Sequence, residues 1–144
     1  MKKIIKCSGL VSIVILSLSL FSFSKPKGGD MFEIYLNNEL ILQRHVYNNA
    51  EPAVVSLKKA GLKDILGIRF LHCAQPGTNR SLQLKDASDH LLKEWKFSNT
   101  NAAGEKMNCP VQDLLNFKKT SPAGLHLYYA SDQLKAGKLV ATIQ

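Results

Sequence analysis

Apolar and polar residues alternate along much of this chain with a period of two. In "MFEIYLNNELILQRHV", Phe32, Ile34 and Leu36 alternate with Glu33 and Tyr35, and Leu40, Leu42 and Val46 continue after Asn37-Asn38. Asparagine tolerates positive φ, so the pattern predicts two antiparallel strands, 31–36 and 39–47, joined by a two-residue hairpin turn. Pro52 and Gly61 bracket a short apolar stretch, Val54 to Leu57, that reads as a third strand. "ILGIRFLHC" is almost continuously apolar, as expected of a strand buried on both faces.

Beyond the turn at Pro76-Gly77, "RSLQLKD" sets Leu82 and Leu84 against Ser81, Gln83 and Lys85. "LLKEWKF" places Leu91, Trp95 and Phe97 on one face, with Lys93 the exception, and Trp95 is expected in the core. "SNTNAAGEK" reads as a polar loop. Val111, Leu114, Leu115 and Lys118 then fall at helical spacing behind Pro110, which predicts one short helix near 111–118. The chain closes with "GLHLYYA", a glycine-containing loop "SDQLKAGK", and "LVATIQ". Tyr128 and Tyr129 point to opposite faces of their strand, so only one can enter the core. Seven to eight short strands, turn signals between them and at most one helix predict an all-β domain over residues 31–144. Its architecture is expected to be an antiparallel β-sandwich or flattened barrel.

The pattern changes before residue 31. Lys2, Lys3 and Lys6 precede an apolar run from Leu10 to Phe23, and Ser22 and Ser24 place small residues ahead of Lys25. That order predicts a signal peptide over 1–24, cut between Ser24 and Lys25, with 25–30 as a flexible lead-in. The run is shorter than the roughly 20 residues a membrane span needs, and serines interrupt it. Cys7 lies before the apolar run, whereas a lipidated cysteine would follow it. The expected location is exported, periplasmic or secreted, with no stable membrane span after the signal is removed.

Export changes the charge. The chain has 19 basic and 11 acidic residues, and three lysines leave with the signal, so the mature net charge is 16 − 11 = +5. The remaining basic residues are scattered, with Lys58-Lys59 and Lys118-Lys119 as pairs. No arginine-rich or aromatic-interleaved run suggests nucleic acid.

Export also frames the cysteines. Loss of Cys7 leaves Cys73 and Cys109, 36 residues apart. An even count in an exported protein points to a Cys73–Cys109 disulfide, which would contribute roughly 4 kcal/mol in the chain-entropy model. Two separate buried thiols, or a reactive or metal-bound thiol, are the alternatives. His72 adjoins Cys73, but neighbours on an extended strand face opposite ways, so it is poorly placed as the base of a cysteine nucleophile. His45, His90 and His126 show no HxH or HExxH spacing, and there is no CxxC. The residues therefore nominate no catalytic site, no metal ligands and no cofactor.

Other candidates are polar or aromatic. Arg80 opens its strand and is expected to pair with a carboxylate or to face a ligand. An exposed tyrosine of the Tyr128-Tyr129 pair, with Tyr35 or Tyr47, would make an aromatic contact surface.

The stretches "FEIYLNNELILQRHV", "HCAQPGTNRSLQLKD", "LLKEWKF" and "LHLYYASDQLKAGKLVATI" together resemble a group of small exported proteins of Gram-negative bacteria. The resemblance implies an all-β fold and an envelope location, and it carries no activity or binding residue across. The expected function is a non-enzymatic exported β-sandwich that binds a protein, glycan or envelope component through its surface. The alternative is a small envelope enzyme or metal-handling protein using Cys73, Cys109 and the histidines.

Overall fold

The computed structural model describes residues 29–46, 51–73, 75–99 and 104–144. The expected signal peptide, its cleavage point at Ser24 and Lys25, and Tyr47 lie outside the described residues. Among those described, nine strands and one helix follow in order: β1 Met31–Leu36, β2 Glu39–His45, β3 Ala53–Val55, β4 Ile65–Leu71, β5 Arg80–Asp86, β6 Leu91–Phe97, β7 Met107–Pro110, α1 Val111–Thr120, β8 Leu125–Ser131 and β9 Leu134–Ile143. The strands form two separate sheets, ordered β2-β1-β4-β7 and β3-β9-β8-β5-β6. The protein is an all-β sandwich rather than a barrel.

Alternation builds the core. Phe32, Ile34, Leu66, Ile68, Phe70 and Met107 line the inner face of the four-stranded sheet, and all are buried. Leu82, Leu84, Leu125, Leu127 and Tyr129 meet them from the five-stranded sheet. Each fully buried Leu, Ile or Phe contributes about 1.5–3 kcal/mol relative to exposure, so this double layer is the main source of stability. The expected hairpin is present: Asn37 and Asn38 adopt φ of 51° and 69°, the left-handed pair a tight two-residue turn requires. The helix begins at Val111 as expected. No side chain caps it; instead the Val111 N–H donates to the Asp64 carbonyl at 3.0 Å. Val111 and Leu114 are its buried residues, and Lys93 reaches Asp113 at 2.6 Å to fix the helix against β6.

Leu91, expected on the core face with Trp95 and Phe97, is 55 % exposed, because the β5–β6 register shifts between Leu84 and Lys85. Three further features differ from the sequence reading. Met107–Pro110 forms a short strand, β7, pairing antiparallel with β4. "SDQLKAGK" is not a loop: after a turn at 132–133 it becomes the first half of β9. Gly137, with φ 74°, lies where the β8–β9 register shifts, so the glycine marks an irregularity within a strand rather than a connection. β3 pairs parallel with β9, so the five-stranded sheet is mixed.

Candidate functional site

The cysteines do not pair. Both are free, with Cys73 exposed and Cys109 buried. Register explains why the expected Cys73–Cys109 bridge is wrong. Cys109 sits opposite Leu66 on β4, and its thiol contacts the Leu66 carbonyl at 3.6 Å. Cys73 lies beyond the far end of the same strand. The five strand steps from Leu66 to Leu71 alone span about 17 Å, whereas a disulfide needs Cα atoms within about 7 Å. Burial pushes the Cys109 thiol up to about 12, which leaves it without thiolate character at neutral pH.

The histidines do not converge either. His90 is exposed and contacts Asp86 at 3.2 Å. His126 lies in mid-strand on β8, and His45 ends β2. Among the described residues, no three His, Cys, Asp or Glu side chains gather as a metal site.

His72 does join a buried polar chain that the sequence did not reveal. Its Nδ1 lies 3.2 Å from Asp30 Oδ2, and its Nε2 lies 2.8 Å from the Tyr129 hydroxyl and 3.3 Å from Ser131 Oγ. One tautomer satisfies the chain: Nδ1–H donates to Asp30, and Nε2 accepts from the Tyr129 hydroxyl. The other Asp30 oxygen accepts the Cys73 backbone N–H at 2.9 Å. Order and connectivity imitate an acid-base-nucleophile relay, but access does not. The His72 side chain is 2 % exposed and Ser131 is 5 % exposed. The closer partner at Nε2 is the tyrosine, which burial holds above its ordinary pKa and therefore protonated. This chain of bonds satisfies buried groups at the sandwich end, where each unpaired group would cost about 1–3 kcal/mol.

Arg80 is structural as well. β5 is an interior strand, and the guanidinium is buried, giving bonds of 3.0 and 2.8 Å to the Ser98 carbonyl and 2.9 Å to that of Glu105. It ties the end of β6 to the approach to β7. The expected carboxylate partner is peripheral, with Glu105 Oε2 at 3.9 Å. Trp95 is half-buried on the inner face of edge strand β6, where Lys93 lies 5.2 Å from its ring centre. Of the tyrosine pair, Tyr129 is buried and Tyr128 is partly exposed.

The outer face of the four-stranded sheet carries a small trough. Tyr35, Gly67 and Asn108 stand side by side on β1, β4 and β7 through the register Tyr35↔Gly67↔Asn108. Gly67 is buried in the row, and a Cβ there would lie 3.0 Å from Asn108 Oδ1, 3.5 Å from Tyr35 Cβ and 3.7 Å from Lys106 Cδ. The result is a trough of about 250 Å³, completed by Asn37, Asn38 and Ile65.

Its walls are held in place. The Tyr35 hydroxyl donates to Glu33 Oε2 at 2.7 Å, and Arg69 Nη1 bonds the same oxygen at 3.3 Å. The bond to the Glu33 carboxylate raises the Tyr35 pKa and keeps the phenol protonated. Asn37 is committed to the backbone of Ile65, through its own N–H and through its side-chain oxygen, each at 3.0 Å. Lys106 lies 4.7 Å from the Tyr35 ring centre and donates to Asn38 Oδ1 at 2.6 Å. Asn108 is exposed, and its amide has no partner among the described residues. Another cavity, of about 100 Å³, is lined by Phe32, Arg44, Val46 and Pro52, and Arg44 donates to the Glu51 carbonyl at 2.7 Å. The chain matches no protein-family model and no curated protein.

Proposed function

We propose that this protein is an exported, non-enzymatic β-sandwich that binds an envelope glycan through the outer face of its four-stranded sheet. The observation that carries the proposal is the row Tyr35–Gly67–Asn108: a fixed aromatic wall, a backbone floor and an amide with spare bonding capacity. Sugars present apolar ring faces and hydroxyl edges, and this row offers a partner to each. Binding sites commonly pair apolar surface with a few placed polar groups in this way. The Lys106 ammonium, which lies over the Tyr35 ring, favours a sugar bearing a carboxylate or phosphate and must swing aside for a sugar ring to stack on that face.

Export rests on the lysine-led apolar start and on Ser22 and Ser24 ahead of Lys25. An intact mass of the protein from the exported fraction is expected to place its N-terminus at Lys25. The binding test is co-sedimentation with purified peptidoglycan and with lipopolysaccharide, comparing the parent chain with Gly67→Val and Tyr35→Ala. Binding by the parent and its loss in both variants is expected. Binding unchanged in both would remove the trough from consideration and leave a protein partner elsewhere.

The competing reading, a small envelope enzyme, draws on the Asp30–His72–Ser131 alignment rather than on the cysteines. It requires Ser131 to meet a substrate despite its burial.

A further inference from the structure

We infer that the end of the sandwich built from residues 57–64 and the last turns of α1 docks on an anionic phospholipid surface. Lys58, Lys59 and Lys63 ride on two consecutive tight turns, closed by Ala60 N–H to Leu57 O at 3.0 Å and Asp64 N–H to Gly61 O at 3.1 Å. Lys118 and Lys119 occupy the last turn of α1. Turn and helix meet around a shallow depression of about 380 Å³ walled by Leu62 and Leu115, with Lys118 and Lys119 alongside. Lys58 and Lys118 share a neighbouring depression of about 340 Å³. Leu62 is 60 % exposed, more than any other large hydrophobic side chain among the described residues.

Fold stability does not account for this arrangement. The helix dipole explains two lysines at the end of α1, but not three more around an exposed leucine. Among the described residues, none of the five lysines enters an ion pair. Of the nearby acids, Asp113 holds Lys93, while Asp64, kept ionised by hydrogen bonds from Asn37 and from the Gly61 N–H at 2.8 Å, offsets one of the five charges.

A leucine among lysines fits a bilayer surface. The apolar side chain enters the acyl boundary while ammonium groups on flexible stems remain at the phosphate level. Lysine is a point charge without the planar fork that grips one carboxylate or phosphate. Five lysines therefore suit a diffuse field of headgroups better than the fixed carboxylates of an acidic protein. The inference is independent of what the trough binds.

The test uses the full chain carrying Leu62→Trp, mixed with vesicles of equal parts phosphatidylglycerol and phosphatidylcholine whose acyl chains are brominated. Quenching beyond that of the parent, which carries Trp95, reports contact at position 62 and not at the apolar N-terminal segment. Extra quenching is expected with these vesicles, absent from pure phosphatidylcholine and reversed by high salt. Neutralisation by Lys118→Gln and Lys119→Gln should weaken binding about fivefold per lysine; charge reversal to Glu at the same positions should weaken it further. No extra quenching, equal quenching in both lipids, or preferential binding to polyglutamate would overturn the inference. The last result would assign the patch to an acidic protein.

Discussion

Phe70 of the four-stranded sheet and Tyr129 of the five-stranded sheet stack face to face, with ring centres 4.1 Å apart and planes 9° from parallel. The contact joins the two layers, and the Tyr129 hydroxyl then continues into the buried chain through His72 to Asp30. Tyr129→Phe keeps the stack and loses one bond, so it should cost about 1 kcal/mol. Tyr129→Ala removes both and should cost about 3–5 kcal/mol. His72→Ala leaves the hydroxyl and carboxylate without their common partner and should cost about 2–3 kcal/mol. Urea unfolding of the three variants checks this order, and a neutral His72→Ala would contradict the structural role of the chain.

The same burial makes a prediction about chemistry. A fluorophosphonate reagent, which labels activated serines, is expected to leave Ser131 unmodified in the native protein. Peptide mapping after treatment provides the check. Labelling abolished by His72→Ala would favour the enzyme reading.

Much of the fold was legible because each strand's core face is written locally as alternation. The hairpin turn announced itself in Asn37-Asn38, and the helix in the spacing of Val111, Leu114 and Leu115. What failed was information stored in pairing. β7 has four residues, two of them Asn108 and Pro110, and acquires strand character from its ladder with β4. Gly137 reads as a loop residue because a strand irregularity and a turn both call on positive φ. The cysteine count suggested a bridge, but register along β4 determines whether two thiols can meet. The trough was hidden for the same reason. Tyr35, Gly67 and Asn108 become neighbours only when three strands align, and the one local hint was a glycine inside an apolar run.

Thiol reactivity follows directly from the corrected cysteine pattern. Of Cys73 and Cys109, only Cys73 should react with an alkylating reagent at neutral pH without reductant; both should react after unfolding. Protection of both until reduction would restore the bridge.

Alkaline stability provides a separate check on Cys109. Its pKa rises from 9.0 to about 12 on folding, so the native state holds the proton more tightly than the unfolded state. The resulting stability is fully present below pH 9 and is lost as the pH rises toward about 12. Cys109→Ala should therefore delay the alkaline decline until the tyrosines titrate, from about pH 10. Unfolding midpoints across this range would show the difference between parent and variant.

Two glycines should respond to very different degrees. At Gly77 a Cβ would meet the Tyr129 hydroxyl at 2.8 Å and Arg80 Cδ at 2.9 Å, both on buried side chains. Gly77→Ala is expected to cost about 1–3 kcal/mol through overpacking. At Gly67 the nearest atom is the exposed Asn108 amide, which can move, and restricting the unfolded chain offsets the crowding. Gly67→Ala should change stability by less than about 0.5 kcal/mol while shallowing the trough. Thermal unfolding of both variants provides the comparison.

The most direct measurement is a titration of the ¹⁵N-labelled protein with a soluble peptidoglycan disaccharide-peptide, followed by amide NMR. The predicted result is a set of saturable shifts at the Asn38 and Asn108 side-chain amides and at the Tyr35 and Gly67 backbone, absent in Gly67→Val. Shifts centred instead on His72 and Ser131 would contradict the account and move the site to the buried polar chain.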